Sequence, residues 1–240
     1  MGHLPLTHII PAKERSGKGR RAAGSVGAGL EVAIEGADRL GFAADSRDYT
    51  MARQILNLDP DRRYILFGAM ASTSDRRKGF HLLQPALKQL AAREGIGHNT
   101  ELLIFGACAP EQPVDLGLPA HYMGHLHDDV SLAVLYAAAD VFAAPSMQDN
   151  LPNTLVEAMS CGTPCVAFAV GGMSDLINSE NLGILARPFE VADFCDALAS
   201  MLRRPPAREM IRQTATERYT PMQAAQRYAQ VYALETSAPN

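Results

Sequence analysis

Tryptophan is absent from this 240-residue chain, aromatic residues make up only 6% of it, and just four cysteines occur. Cys161 and Cys165 have no second pair at metal-binding spacing, and with Cys108 and Cys195 they fall in apolar contexts. They read as free thiols of a reducing compartment, not as a disulfide or zinc framework. No uncharged apolar run is long enough to span a bilayer, and the first residues lack the apolar core of a signal peptide. The formal charge of −4 argues against nucleic acid as the main partner. Neither a GxxxxGK[ST] loop nor a G-x-S-x-G elbow occurs, so P-loop and serine-hydrolase chemistries lack their central residues. The expectation is a cytoplasmic globular protein, with any membrane contact peripheral, at the inner membrane.

What is present concentrates in residues 140–176, DVFAAPSMQDNLPNTLVEAMSCGTPCVAFAVGGMSDL. Val141 to Ala144 is an apolar run ended by Pro145, which reads as a buried strand leaving its sheet there. Pro152 suits the first turn of a helix that carries Leu155, Val156 and Met159 at helical spacing until Gly162 stops it. Pro164 to Phe168 is the next strand, closed by Gly171 and Gly172. Asp149 and Glu157 stand on this unit with seven residues between them. Such a pair alone is also what a helix cap and a solvated helix residue would leave. The helix N-terminus between them gathers unpaired N–H groups and partial positive charge, which suits a diphosphate, while an ionised carboxylate accepts hydrogen bonds from paired hydroxyls.

Upstream, YILFGAMASTSDRRKGFHLLQPALKQL runs from a strand at Tyr64–Phe67, through Gly68 and a loop bearing Arg76, Arg77 and Lys78, into a helix with Leu82, Leu83, Leu87 and Leu90. A cationic loop at the carboxyl end of a strand makes an anion site or, on the blander reading, a solvated basic turn. Glu101–Gly106 supplies another strand, Tyr122 and Met123 a short one, and Asp128 and Asp129 open an amphipathic helix. His125 and His127 have no third partner, which leaves a metal reading weak. A strand at Gly183–Ala186 and helices at Val191–Leu202 and Gln223–Leu234 complete the alternation. The fold class expected is α/β, a single Rossmann-like doubly wound domain with a mostly parallel sheet.

The order PS, NLPNTLVEAM, CGTPCVAF, GG resembles the donor-binding signature of retaining glycosyltransferases of family 4, which have the GT-B fold and build bacterial polysaccharides and lipopolysaccharides. The family's mark is a pair of glutamates at this spacing; here the first is Asp149, one methylene shorter. The resemblance implies that Glu157 accepts hydrogen bonds from the ribose of a nucleoside diphosphate sugar. Asp149 would lie beside the donor sugar, and the backbone around Asn150, Leu151, Asn153 and Thr154 would meet sugar and diphosphate oxygens. Lys78, of the pair Lys78-Gly79, would contact the diphosphate and help the nucleotide depart. Gly68 would open the phosphate loop, with Arg76 or Arg77 as a second phosphate contact, and Gly124, His125 and Leu126 would meet the base. No metal cofactor is implied, and the acceptor would be a glycan or a lipid-linked acceptor.

The resemblance covers Ala52 to Leu234, so residues 51–235 are expected to be the donor-binding domain and 236–240 a tail. Residues 1–50, with KERSGKGRRAAGSVGAG at 13–29, read as an atypical, disordered segment. They are too few to form the acceptor-binding domain that precedes the donor domain in a GT-B enzyme. The expectation is the donor half of a glycosyltransferase, truncated or working with a separate acceptor-binding chain. The alternative is a non-catalytic nucleotide-sugar-binding module or inactive remnant.

Overall fold

A computed structural model describes residues 46–68, 73–126, 128–150 and 152–219. Six strands form one sheet: β1 (Arg63–Gly68), β2 (Thr100–Phe105), β3 (Ala120–Gly124), β4 (Val141–Ala144), β5 (Cys165–Phe168) and β6 (Gly183–Ala186). Every pairing is parallel, in the order β3-β2-β1-β4-β5-β6. The chain moves outward from β1 to β3, then returns to the other side of β1 with β4. That reversal opens a crevice at the carboxyl ends of β1 and β4.

Alternation along the strands sends side chains to two cores. Tyr64, Leu66, Phe142, Ala144, Cys165 and Ala167 face one side, where α3 (Asp129–Ala138), α4 (Asn153–Ser160), α1 (Ser46–Ile55) and α7 (Arg208–Tyr219) contribute apolar residues. Ile65, Phe67, Val141, Ala143, Val166 and Phe168 face the other, covered by α2 (Phe80–Ala91) and α6 (Val191–Arg203). A one-turn α5 (Met173–Leu176) joins the first side. With both faces covered, the strands read as continuous apolar runs, as a parallel sheet requires. The fold is therefore the Rossmann-like α/β sheet expected, and all its pairings are parallel.

Besides the one-turn α5, two longer helices stand where none was expected. Helix α1 straddles residue 50, the boundary drawn from composition, and α7 follows α6 after a short connection. Their cores are thin: α7 buries only Ile211 and Ala215. Arginines hold them in place. Arg53, fully buried, donates from Nε to the Ala138 carbonyl at 3.1 Å, from NH1 to those of Pro60 and Arg62, and from NH2 to Asp140 Oδ2 at 2.7 Å. Arg208 donates to the carbonyls of Ala137 and Ala139, both at 2.8 Å. The carboxyl end of α3 has no basic residue in its own last turn, so α1 and α7 supply the cations that its orphan carbonyls and dipole favour. Burial lowers the Arg208 pKa from its ordinary value. The expected helix at Gln223–Leu234, the tail and residues 1–45 lie outside the described residues.

Candidate functional site

At the β1/β4 crevice the sheet presents a small concavity lined by Phe67, Gly68, Lys78, Pro145, Ser146 and Thr154. Each element arrives for a local reason. Beyond β1, Asp75 accepts the Arg77 amide at 3.0 Å and so caps a turn of 3₁₀ helix, Arg76–Lys78. Gly79 closes that turn at φ 72°, and a Cβ there would stand 1.8 Å from the Pro145 carbonyl oxygen. Only glycine allows the Lys78-Gly79 turn to lie against the end of β4. The Met147 amide then donates to the Arg77 carbonyl at 2.8 Å, tying the two loops.

The loop after β4 is gripped from its other side as well. Gly171, at φ 52°, has room for no Cβ, which would stand 2.2 Å from the Asp149 carbonyl oxygen, and the Gly172 amide donates to that oxygen at 3.2 Å. Asp149 is thus held at backbone level between two glycine turns. Its side chain reaches Lys78, Oδ2 to Nζ at 3.1 Å, with side-chain exposures of 20% and 29%. Asp149 does not cap α4: Pro152 occupies the cap position and no side chain closes the helix there. The amino end of α4, with Asn153 and Thr154 in its first turn, is left to the crevice.

Glu157 lies one turn further along α4 and is buried, 6% exposed. This excludes a solvated helix residue. Its Oε2 accepts from the Tyr136 hydroxyl at 2.8 Å. Burial, followed by the charge of Glu157, pushes the Tyr136 phenol well above its usual pKa, so it stays protonated and donates.

The remaining candidates are dispersed. Arg77 turns its guanidinium onto Asp75, with Nε to Oδ1 at 3.1 Å and NH2 to Oδ2 at 2.8 Å, and the hydrogen bonds hold the Asp75 carboxyl below its usual range. Arg76 and Asn150 are exposed. Gly124 ends β3 at φ 70°, and its carbonyl accepts the Gly106 amide at 2.8 Å. His125 is exposed, and Leu126 packs against the α3 side of the sheet. These three share the carboxyl edge with the concavity but sit two strands from β1, roughly 10 Å away at ordinary strand spacing. Leu151, His127 and residues 69–72 lie outside the described residues. Among the described residues no cluster of His, Cys, Asp and Glu could hold a metal ion, and no helix is long and apolar enough to cross a membrane.

Sequence reasoning missed Asp75 and Tyr136. Asp75 was findable as an acid two residues before Arg77, at capping distance from a short turn. Tyr136 was not, because its partner is 21 residues on, across β4.

Residues 62–204 match the profile of the family described as Glycosyl transferases group 1. A D-inositol 3-phosphate glycosyltransferase of Nocardia farcinica is 31% identical over 63% of this chain and 28% of its own length. A sulfoquinovosyl transferase of Arabidopsis thaliana is 29% identical over 84% of this chain and 39% of its own. Among solved structures, a sucrose-phosphate synthase from Thermosynechococcus elongatus superposes with a TM-score of 0.62 and 28% identity, over 77% of this chain and 49% of that one. The chain thus spans less than half the length of each.

Proposed function

The chain belongs to the glycosyl transferases of group 1, and we propose that the β1/β4 crevice takes the diphosphate of a nucleoside diphosphate sugar. The sugar would pass to a glycan or lipid-linked acceptor, with retention at the anomeric carbon, in polysaccharide or lipopolysaccharide assembly beside the inner membrane. One observation carries the reading: Lys78, Asp149 and the uncapped amino end of α4 converge at the point where the strand order reverses.

The roles follow from chemistry. As the bond from sugar to diphosphate breaks, charge grows on the phosphate oxygens. A fixed ammonium at Lys78 and the amides of Asn153 and Thr154 would stabilise that charge in place of a metal ion. Arg76, exposed beside Lys78, would reach the same group. Asp149 would face the donor sugar, and Glu157 would accept from the ribose hydroxyls. Gly124, His125 and Leu126 are the candidates for the base. The second reading, a module that binds nucleotide sugar without turnover, draws support from the short Asp149 side chain, which is engaged with Lys78.

Titration calorimetry with UDP and GDP, in the presence of a chelator, tests the reading. Micromolar-range binding of one of them is expected. Glu157→Ala should weaken it by about 1.5–3 kcal/mol, the scale of a hydrogen bond to a charged group. Equal affinity in the two proteins would remove Glu157 from the site.

A further inference from the structure

Resting on the donor-site reading, a second question arises: what keeps a buried carboxylate aimed at a ribose? The terminal torsion of a glutamate is broad, so burial alone does not fix its plane. Tyr136, on α3, reaches across β4 with its hydroxyl 2.8 Å from Glu157 Oε2. Its ring is itself fixed, edge to face with Phe105 at 5.8 Å and with Phe142 at 5.6 Å between centroids. Its backbone carbonyl accepts the Thr163 hydroxyl at 2.6 Å, and Thr163 Oγ1 in turn accepts from Arg208 at 2.9 Å. A donor this constrained defines where the carboxylate can lie. An ionised carboxylate has about four acceptor positions, and the bond to the phenol takes one of them.

We infer that Tyr136 is a positioning residue for nucleotide recognition: its hydroxyl sets the orientation of Glu157 and thereby the discrimination between a ribose and a deoxyribose. It touches no substrate itself. A role confined to packing would make a different prediction, since loss of the hydroxyl would then weaken all nucleotides alike.

The test compares UDP with 2′,3′-dideoxy-UDP by calorimetry on the full chain, using the guanosine pair if GDP is the tighter ligand. The wild type should favour the ribonucleotide by about tenfold or more. In Tyr136→Phe that preference should shrink to within about threefold, with affinity for the dideoxy compound unchanged. Glu157→Gln supplies an independent handle. With Tyr136 present, the phenol engages the amide carbonyl and turns the NH2 group toward the sugar. In Tyr136→Phe/Glu157→Gln the phenol no longer holds the amide in that orientation, and its carbonyl can turn toward the ribose. The double variant should therefore bind UDP at least as tightly as Glu157→Gln, and it avoids leaving a buried charge short of a donor should the single Tyr136→Phe protein fail to fold. A wild-type-like preference in Tyr136→Phe, or losses that simply add in the double variant, would overturn the inference while leaving the donor site standing. A wild type that binds neither UDP nor GDP would remove both.

Discussion

Lys78 cannot hold two anions in the same way at once. In the structure its partner is Asp149, whereas the proposed reaction gives it a diphosphate. The incoming nucleotide must therefore displace a carboxylate and accept a second negative group nearby. For a partly exposed pair that competition is worth about 0.2–1 kcal/mol. Asp149→Asn should then tighten binding of bare UDP by up to about fivefold, while sugar transfer, which the proposal routes past a carboxylate beside the donor, falls steeply. Calorimetry on the polypeptide, and a transfer assay on it supplemented with a protein that supplies the facing wall of the cleft, separate the two effects. A weaker UDP affinity in this variant would mean that Asp149 supports the nucleotide instead of competing with it. The residue scale is also where the sequence was least explicit. The spacing of Asp149 and Glu157 drew attention to their segment, but the ion pair spans 71 positions and the Tyr136 contact 21. No pattern along the chain carries a partner at that range.

At the scale of elements, legibility followed the source of each element's stability. Helices α2, α3, α4 and α6 and strands β1, β2, β4, β5 and β6 bury apolar runs or stripes, and periodicity found them, with ends displaced by a residue or two. Helices α1 and α7 escaped because their sequences, SRDYTMARQI and REMIRQTATERY, are polar on most faces. They are fastened by arginines reaching carbonyls on other elements, a kind of contact that hydrophobic patterning cannot report. Arg53 makes the point sharpest, since its guanidinium also lies 3.9 Å from the Tyr49 ring centroid and shares Asp140 with the Tyr49 hydroxyl and the Tyr64 amide. Replacing it leaves a carboxylate without its cation and several carbonyls without donors. Arg53→Met should cost about 3–5 kcal/mol of stability. Denaturant unfolding measures this, and nucleotide affinity of the folded fraction should not change, because the network sits at the start of β1 and β4 and the crevice at their far ends. A loss below about 1 kcal/mol would show that solvent or neighbouring groups replace the guanidinium.

For the molecule as a whole, the sheet has a buried, cross-linked pole and an open, polar one. The buried arginine network occupies the amino ends of β1 and β4, and glycine turns at the carboxyl ends leave Arg76, Arg77 and Asn150 exposed beside Lys78 and Asp149. Binding a diphosphate requires only one such rim, because the ammonium and helix amides are all local. Transfer requires more. The acceptor hydroxyl must be brought to about 3–3.5 Å of the anomeric carbon, and water must be kept from competing with it, which calls for a surface facing this rim. On the donor-site proposal this rim would be one wall of such a cleft; the chain covers 49% of the sucrose-phosphate synthase on which it superposes. The 240-residue polypeptide produced alone is therefore expected to bind UDP or GDP with ordinary stoichiometry and to transfer sugar slowly or not at all. Radiolabelled donor, incubated with the purified polypeptide and with lipid and oligosaccharide extracts, gives the readout. Nucleotide binding without labelled product, converted to transfer when a protein supplying the facing wall is added, is the outcome expected on the donor-site proposal. Vigorous transfer by the purified polypeptide would show that one rim suffices, and that the acceptor is gripped by residues of this chain.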